Sequence, residues 1–146
     1  MTTDSPTLTI SRLGRLLESH APADLPLSQF RVLGLLSGGD ERATALASRL
    51  AVAKPTLTSL VDNLVERGFV ARETAAGDRR VVRLAITPAG RDALAAAERH
   101  FAGVLDDVVQ RCDDPAAVLA AIDQMRRALD SRWKAVAAGQ AATDAR

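Results

Sequence analysis

The stretch between Ala43 and Ile86 constrains the fold most, because its residue pattern changes from helical to alternating at Gly68. Before Gly68, apolar residues recur at spacings of three and four, which is typical of a helix with one buried face. After Gly68 the pattern becomes alternating. Val82, Leu84 and Ile86 occupy every second position and lie on one side, which is typical of a strand. We therefore predict a helix that ends at Gly68 and leads into a β-hairpin.

Both ends of this helix carry their own signals. Pro55 stands in the first turn, where a proline removes no intrahelical hydrogen bond, and Gly68 supplies the left-handed residue that commonly follows a helix. The helix is predicted from Lys54 to Arg67, about four turns. A shorter helix over residues 43–51 and a turn at residues 52–53 precede it, so the segment predicts a helix-turn-helix. The apolar face of the second helix contains Leu57, Leu60, Val61 and Leu64.

The opposite face of the second helix is small and hydroxylated. Its members are Thr56, Thr58, Ser59, Asp62 and Asn63. Short side chains with donors and acceptors let a helix approach a surface closely, as a helix in a DNA major groove must. This face therefore indicates a recognition helix.

The hairpin after Gly68 is predicted to pair residues 69–73 with the strand that ends at Ile86. Gly77 and Asp78 supply the turn chemistry between the two strands, and Arg79 and Arg80 sit at the tip. Residues 42–91 contain nine basic and four acidic side chains, a net charge of +5, whereas the whole chain carries +1, so the rest carries −4. A basic middle between acidic ends is the charge distribution expected if the middle meets phosphate.

Apolar stripes extend beyond this central part of the chain. Residues 7–20 and 89–138 are predicted to form amphipathic helices that one small winged module cannot cover, whereas residues 139–146 are expected to be frayed. Packing against a second copy would bury the stripes, so we expect a two-fold symmetric homodimer. An additional intramolecular bundle is the alternative.

Composition limits the classes of protein to which the chain can belong. With 146 residues, 47% hydrophobic and 25% charged, the chain fits a soluble globular class and one domain. No apolar run reaches the length of a membrane span and the N-terminus lacks a signal-peptide pattern, so we expect a cytoplasmic protein. Cys112 is the single cysteine, which excludes an internal disulfide and a cysteine-rich zinc site. We expect no metal and no cofactor.

The order of these segments resembles the winged helix-turn-helix core of the MarR regulators (multiple antibiotic resistance type). The resemblance covers residues 27–90, through LSQFRVL, ALASRLAVAKPTLTSLVDNLVERGFV, GDRR and LAITPAG. It implies a mainly α fold with a small β-hairpin wing, terminal dimerisation helices and binding to double-stranded DNA. It also implies that Asp78 braces the wing and that Arg80 enters the minor groove. The chain departs from many relatives at Ser59, where they carry an arginine.

The predicted DNA-contact residues are Ser28, Lys54, Pro55, Thr56, Thr58, Ser59, Asn63, Asp78, Arg79 and Arg80. The hydroxyls and Asn63 would read base edges, Pro55 would touch a thymine methyl or the backbone, and Lys54 would bind phosphate. Ser28 is predicted to cap its helix, alone or together with a phosphate contact. The resemblance further implies a small-molecule effector, for which His20, Phe30 and Trp133 are candidate pocket residues, with plain core or interface as the alternative.

Other classes fit the sequence less well. No local motif of a nucleophilic or metal-dependent enzyme is present, so we expect no catalysis. A winged helix that binds only proteins would not need two tip arginines and a hydroxylated face, and a winged regulator of another family remains a closer alternative. Redox sensing by Cys112 is not expected, because Asp113 and Asp114 repel the thiolate that oxidation requires.

Overall fold

The computed structural model describes residues 5–39, 41–75 and 77–144, with the backbone alone for residues 75, 78–81 and 137–144. These ranges contain six helices and three strands. In chain order they are α1 Pro6–Ser19, α2 Leu27–Leu36, β1 Glu41–Arg42, α3 Ala43–Leu50, α4 Lys54–Glu66, β2 Val70–Ala75, β3 Asp78–Ile86, α5 Pro88–Val109 and α6 Pro115–Asp144. The strands form one antiparallel sheet in the order β1-β3-β2. The predicted mainly α fold with a small β wing is confirmed.

The helix-turn-helix consists of α3 and α4. Ala51 ends α3 in the left-handed conformation, with φ 53° and ψ 41°, although it carries a Cβ. Pro55 lies in the first turn of α4 as predicted. At the other end, Gly68 has φ 74° and its N–H donates to the Val65 carbonyl at 2.9 Å. The predicted bounds of α4 are thus confirmed to within one residue.

The core of the winged module lies where α2, α3, α4 and β3 pack together. Its fully buried residues include Leu33, Leu36, Leu46, Leu64 and Leu84. On α4, the predicted apolar face is buried at Leu57, Val61 and Leu64 and half-buried at Leu60. Because one face of α4 is held in this core, its opposite face is directed to solvent.

The sheet contains one strand more than the hairpin predicted from the sequence. β1 pairs with β3 through Glu41 opposite Leu84 and Arg42 opposite Arg83. A strand of two residues is too short to show an alternating pattern in the sequence, so only its pairing with β3 identifies it. Among the residues predicted to face one side of β3, Leu84 and Ile86 are buried, whereas Val82 is 36% exposed.

The start of α5 packs directly on the backbone at the beginning of the wing. Thr87 Oγ1 donates to the Gly68 carbonyl at 2.6 Å, and the Gly90 N–H donates to Thr87 Oγ1 at 3.0 Å. A Cβ at Gly90 would lie 2.1 Å from the Phe69 carbonyl oxygen. This close approach requires glycine at position 90.

One local prediction is wrong. Ser28 does not cap α2, because the helix begins at Leu27 and Pro26 occupies the N-cap position without a side-chain hydrogen bond. The backbone of α6 continues to Asp144, and residues 145–146 lie outside the described part of the chain, so the expected fraying of residues 139–146 remains a prediction.

The chain divides into two units, Met1–Leu105 and Asp106–Arg146. In the second unit, α6 carries charged pairs along one side, where Arg126 donates to Asp123 at 2.9 Å and to Asp130 at 3.1 Å. The hydrogen bond and the charge of Asp123 raise the pKa of Arg126 above its ordinary value. Elsewhere on α6 large apolar residues are exposed, namely Leu119, Ile122, Met125, Leu129 and Val136. No helix in the described ranges is long and apolar enough to cross a membrane.

Candidate nucleic-acid interface

The exposed face of α4 carries the residues that the sequence predicted for DNA reading. Lys54, Pro55, Thr56, Thr58 and Ser59 are all exposed. Thr58 Oγ1 donates to the Lys54 carbonyl at 2.9 Å, and Ser59 Oγ donates to the Pro55 carbonyl at 3.2 Å. Because each hydroxyl proton is used inside the helix, the oxygen lone pairs remain available to accept hydrogen bonds from outside. This face therefore presents acceptors along its first two turns.

Asn63 lies further along the same face, and a side chain of α2 is hydrogen-bonded to it. Its Oδ1 accepts a hydrogen bond from Gln29 Nε2 of α2 at 2.9 Å. Gln29 Oε1 in turn accepts from Arg67 Nη1 at 2.9 Å. Gln29 is only 9% exposed, whereas Asn63 is exposed. The three side chains thus connect the C-terminal end of α4 to the interior beside α2.

An ion pair joins the wing to α4. Arg72 of β2 donates to the carboxylate of Asp62 on α4. Both side chains are about half exposed, so the pair adds little stability by itself. Its electrostatic effect is local, since Arg72 offsets a negative charge that would otherwise repel phosphate from this face.

The wing tip follows the predicted turn. Gly77 has φ 97°, and β3 begins at Asp78, which pairs with Ala75 of β2. The side chains of Asp78, Arg79 and Arg80 lie outside the described part of the structure. A brace by Asp78 and groove contacts by the two arginines remain predictions.

Ser28 is exposed at the second residue of α2. The first N–H groups of a helix have no intrahelical partner, so a hydroxyl at this place can join them in binding a phosphate. Since Ser28 does not cap the helix, the phosphate contact is the part of its predicted role that remains a prediction.

A cavity of about 220 Å³ opens in the first unit, beside the C-terminal end of α4. Its lining combines apolar side chains with a guanidinium, an imidazole and a carboxylate, from Pro22, Asp24, Leu25, Arg67, Phe69, Ala93, Ala96, Ala97 and His100. The Arg67 guanidinium lies 4.6 Å from the centroid of the Phe69 ring. His100 Nε2 donates to the His20 carbonyl oxygen at 2.6 Å. The cavity can therefore hold a small molecule with an apolar body and a polar group.

The residues predicted for an effector pocket do not line this cavity. Phe30 packs on Phe101 with ring centroids 4.7 Å apart, and His20 contacts His100 through its main-chain carbonyl. Trp133 is half-buried in the second unit. Within the described residues, no group of three or more histidine, cysteine or carboxylate side chains is arranged to hold a metal ion.

Gln29 and Arg67 are the residues that the sequence reasoning missed. Gln29 was visible as a polar residue among the apolar residues of LSQFRVL. A buried amide requires hydrogen-bond partners, so its position was a signal for a polar contact. Its partners, 34 and 38 residues away along the chain, could not be identified from spacing.

Comparisons with known proteins agree with this architecture. A model of the MarR family matches residues 23–81. The HTH-type transcriptional regulator YpoP of Bacillus subtilis is 35% identical over 79 residues, 53% of this chain and 53% of that protein. The HTH-type transcriptional regulator ML2140 of Mycobacterium leprae is 34% identical over 94 residues, 63% of this chain and 66% of that protein. The chain thus spans between half and two thirds of the length of these relatives.

Solved structures share the fold. The transcriptional repressor CouR, solved on a 23-mer DNA duplex, superposes with a TM-score of 0.70 at 24% identity, covering 86% of this chain and 92% of CouR. At this identity the likeness concerns the fold alone. Together with the family match and the sequence relatives, it leads to one assignment: residues 23–81 match the MarR family of transcriptional regulators, and the chain has the winged helix-turn-helix fold of that family.

Proposed function

We propose that this protein is a sequence-specific, double-stranded DNA-binding repressor that acts as a homodimer on a pseudo-palindromic operator and responds to a small molecule. The observation that carries the proposal is the exposed, hydroxylated face of α4, whose opposite face is fixed in the core. The fold is the one in which CouR was solved on DNA, which supports the same use of α4. We place the protein in the cytoplasm, where bacterial-type operators are found.

In this proposal each α4 enters a major groove. Thr56, Thr58 and Ser59 read base edges through acceptors, while Lys54 contacts phosphate. The wing lies over the adjacent minor groove, where Arg80 is attracted by the negative potential of a narrow groove. The two half-sites are spaced by about one helical turn of DNA, because a two-fold dimer places its reading helices on one side of the duplex.

The apolar stripe on α6 supports the homodimer. Leu119, Met125 and Leu129 are 49%, 48% and 53% exposed, which is unusual for three large apolar residues on one helix. They recur at intervals of four to six residues along one side of α6, with Ile122 between them. A second copy of the chain with the same stripe would bury both stripes together.

The cavity beside Arg67 supports ligand response. Its apolar lining suits a small organic molecule, and the guanidinium suits a carboxylate or phenolate group. A ligand there would contact Arg67 and Phe69, which lie at the junction between α4 and the wing. Occupancy would therefore alter the part of the molecule that sets the position of the reading helix.

The experiment that tests the proposed function is binding of the purified protein to the duplex upstream of its own gene, compared with a scrambled duplex at several salt concentrations. We expect retention of the first duplex at salt that releases the second. Equal affinity for both would contradict sequence-specific regulation.

Sedimentation equilibrium tests the dimer. We expect twice the monomer mass of 15.4 kDa for the wild type. Leu129→Glu, which introduces a charge into the stripe, should give the monomer mass and lose most operator affinity. Gln124→Glu, a change at an exposed polar position of the same helix, is the control and should remain dimeric. A monomeric wild type would contradict the homodimer.

A further inference from the structure

The side-chain amide of Asn63 has a defined orientation (its polarity), because the neighbouring side chains determine which end carries the oxygen and which the nitrogen. A guanidinium carries hydrogen-bond donors and no acceptor, so the atom of Gln29 that faces Arg67 must be its oxygen. The nitrogen of Gln29 then faces Asn63, and a donating nitrogen requires the Asn63 oxygen as its partner. The opposite arrangement would place an amino group against the guanidinium. Arg67 therefore sets the direction of both hydrogen bonds.

Burial makes this direction costly to reverse. Gln29 is 9% exposed, so water does not freely replace either of its partners. A buried donor or acceptor that loses its partner is destabilised by its full desolvation, whereas an exposed group is not. Asn63 is exposed and by itself would present either end of its amide outward. The part-buried hydrogen bonds that run from Arg67 through Gln29 to Asn63 fix its orientation.

We propose that Asn63 presents its Nδ2 amino group to DNA and keeps its oxygen toward Gln29, so that it selects a keto base, guanine or thymine, on the strand that it contacts. The inference rests on the proposed role of α4 as the recognition helix. Thr56, Ser59 and Asn63 are exposed and are spaced by three and four residues, so they share one face of α4.

The chemistry of the major groove turns this polarity into a base preference. An asparagine reads adenine through two hydrogen bonds, one to its oxygen and one from its nitrogen. This pairing is lost when the oxygen is turned inward. Guanine offers O6 and N7 and thymine offers O4 as acceptors for the Nδ2 protons, whereas adenine offers N7 alone beside its N6 amino donor, and cytosine offers only a donor. Gln29 is thus a positioning residue that acts on base choice through Asn63.

A change of one atom at position 29 tests the inference by reversing the polarity. In Gln29→Glu, which has nearly the same shape, one carboxylate oxygen accepts from Arg67 and the other accepts from Nδ2 of Asn63. The amide of Asn63 then turns its oxygen outward. We expect the preference at one base of each half-site to change from guanine or thymine to adenine or cytosine, by about 2- to 12-fold, the range for one net hydrogen bond.

The measurement is selection of bound duplexes from a library randomised across the half-site, followed by sequencing. Gln29→Met, which offers Asn63 no partner, should relax the preference at the same base without reversing it. Asn63→Ala should abolish the preference, and adding Gln29→Glu to it should change nothing further. Equal loss of affinity for all sequences in the two Gln29 variants would show a purely structural role and overturn the inference.

A second readout needs no DNA. Asn63 is the only asparagine in the chain, so ¹⁵N-asparagine labelling gives a single side-chain amino signal. In the wild type its protons are expected to exchange rapidly with water, and in Gln29→Glu one of them is expected to exchange more slowly because it is hydrogen-bonded. Unchanged exchange in Gln29→Glu would overturn the inference even if no duplex binds. Failure to bind any duplex, with the exchange as expected, would refute the proposed function and leave the amide polarity supported.

Discussion

Replacing Gly90 by alanine probes the contact that joins α5 to the wing. The added Cβ would lie 2.1 Å from the Phe69 carbonyl oxygen, 2.9 Å from Ile86 Cγ1 and 3.0 Å from the Phe69 carbonyl carbon. Two of these atoms are backbone and cannot turn aside as a flexible side chain would. An ordinary contact of about 3.4 Å therefore requires α5 or the Phe69 backbone to move by about 1.3 Å.

The expected cost follows from what this movement disrupts. Overpacking of a close contact costs about 1–3 kcal/mol, and each hydrogen bond at the junction contributes about 0.5–1.5 kcal/mol. Three such bonds meet there: Thr87 N–H to the Phe69 carbonyl at 3.0 Å, Thr87 Oγ1 to the Gly68 carbonyl and Gly90 N–H to Thr87 Oγ1. Alanine is the better helix former by about 1 kcal/mol, which offsets part of the loss. We expect Gly90→Ala to lower the free energy of unfolding by about 2–4 kcal/mol.

Urea denaturation at one fixed protein concentration measures this difference, since the midpoint of the proposed dimer would depend on concentration. Gly34→Ala is the matched control, because Gly34 lies within α2 and an added Cβ would meet nothing within 4 Å. That variant should gain about 0.5–1 kcal/mol from helix propensity. Equal stability of Gly90→Ala and the wild type would refute the close approach of α5 to the Phe69 backbone.

Three further predictions address the turn, the DNA contacts and the thiol. Ala51→Gly should stabilise the protein by about 0.5–1 kcal/mol in the same denaturation assay, because glycine adopts the left-handed conformation without steric cost. Destabilisation by this substitution would argue against a left-handed residue at position 51. Arg80→Ala should weaken binding to all duplexes and make the affinity less dependent on salt. Thr58→Ala should keep the salt dependence of the wild type and lose about 1–3 kcal/mol of discrimination at one or two bases. An unchanged salt dependence for Arg80→Ala would mean that the tip arginine is only solvated. Cys112→Ser should bind DNA like the wild type, and mild peroxide should not release the wild type; release that disappears in the variant would show that the thiol senses oxidants.

Local chemistry explains why α4 could be predicted closely from the sequence. Pro55 and Gly68 act within one turn of backbone, through a missing N–H group and a permitted positive φ, so their effect does not depend on the rest of the fold. The alternating pattern toward Ile86 is similarly short in range, because successive side chains of a strand point to opposite faces. Local signals also failed once: Ser28 is a common cap residue, but α2 begins one residue before it.

Tertiary structure decided the features that depend on distant partners. β1 is a strand only because β3 offers it hydrogen bonds. The polarity of Asn63 depends on Gln29, 34 residues away, and through it on Arg67. Sequence spacing identifies the face on which Asn63 lies, since helix periodicity is local. The end of its amide that faces outward follows from hydrogen bonds between segments that only folding brings together.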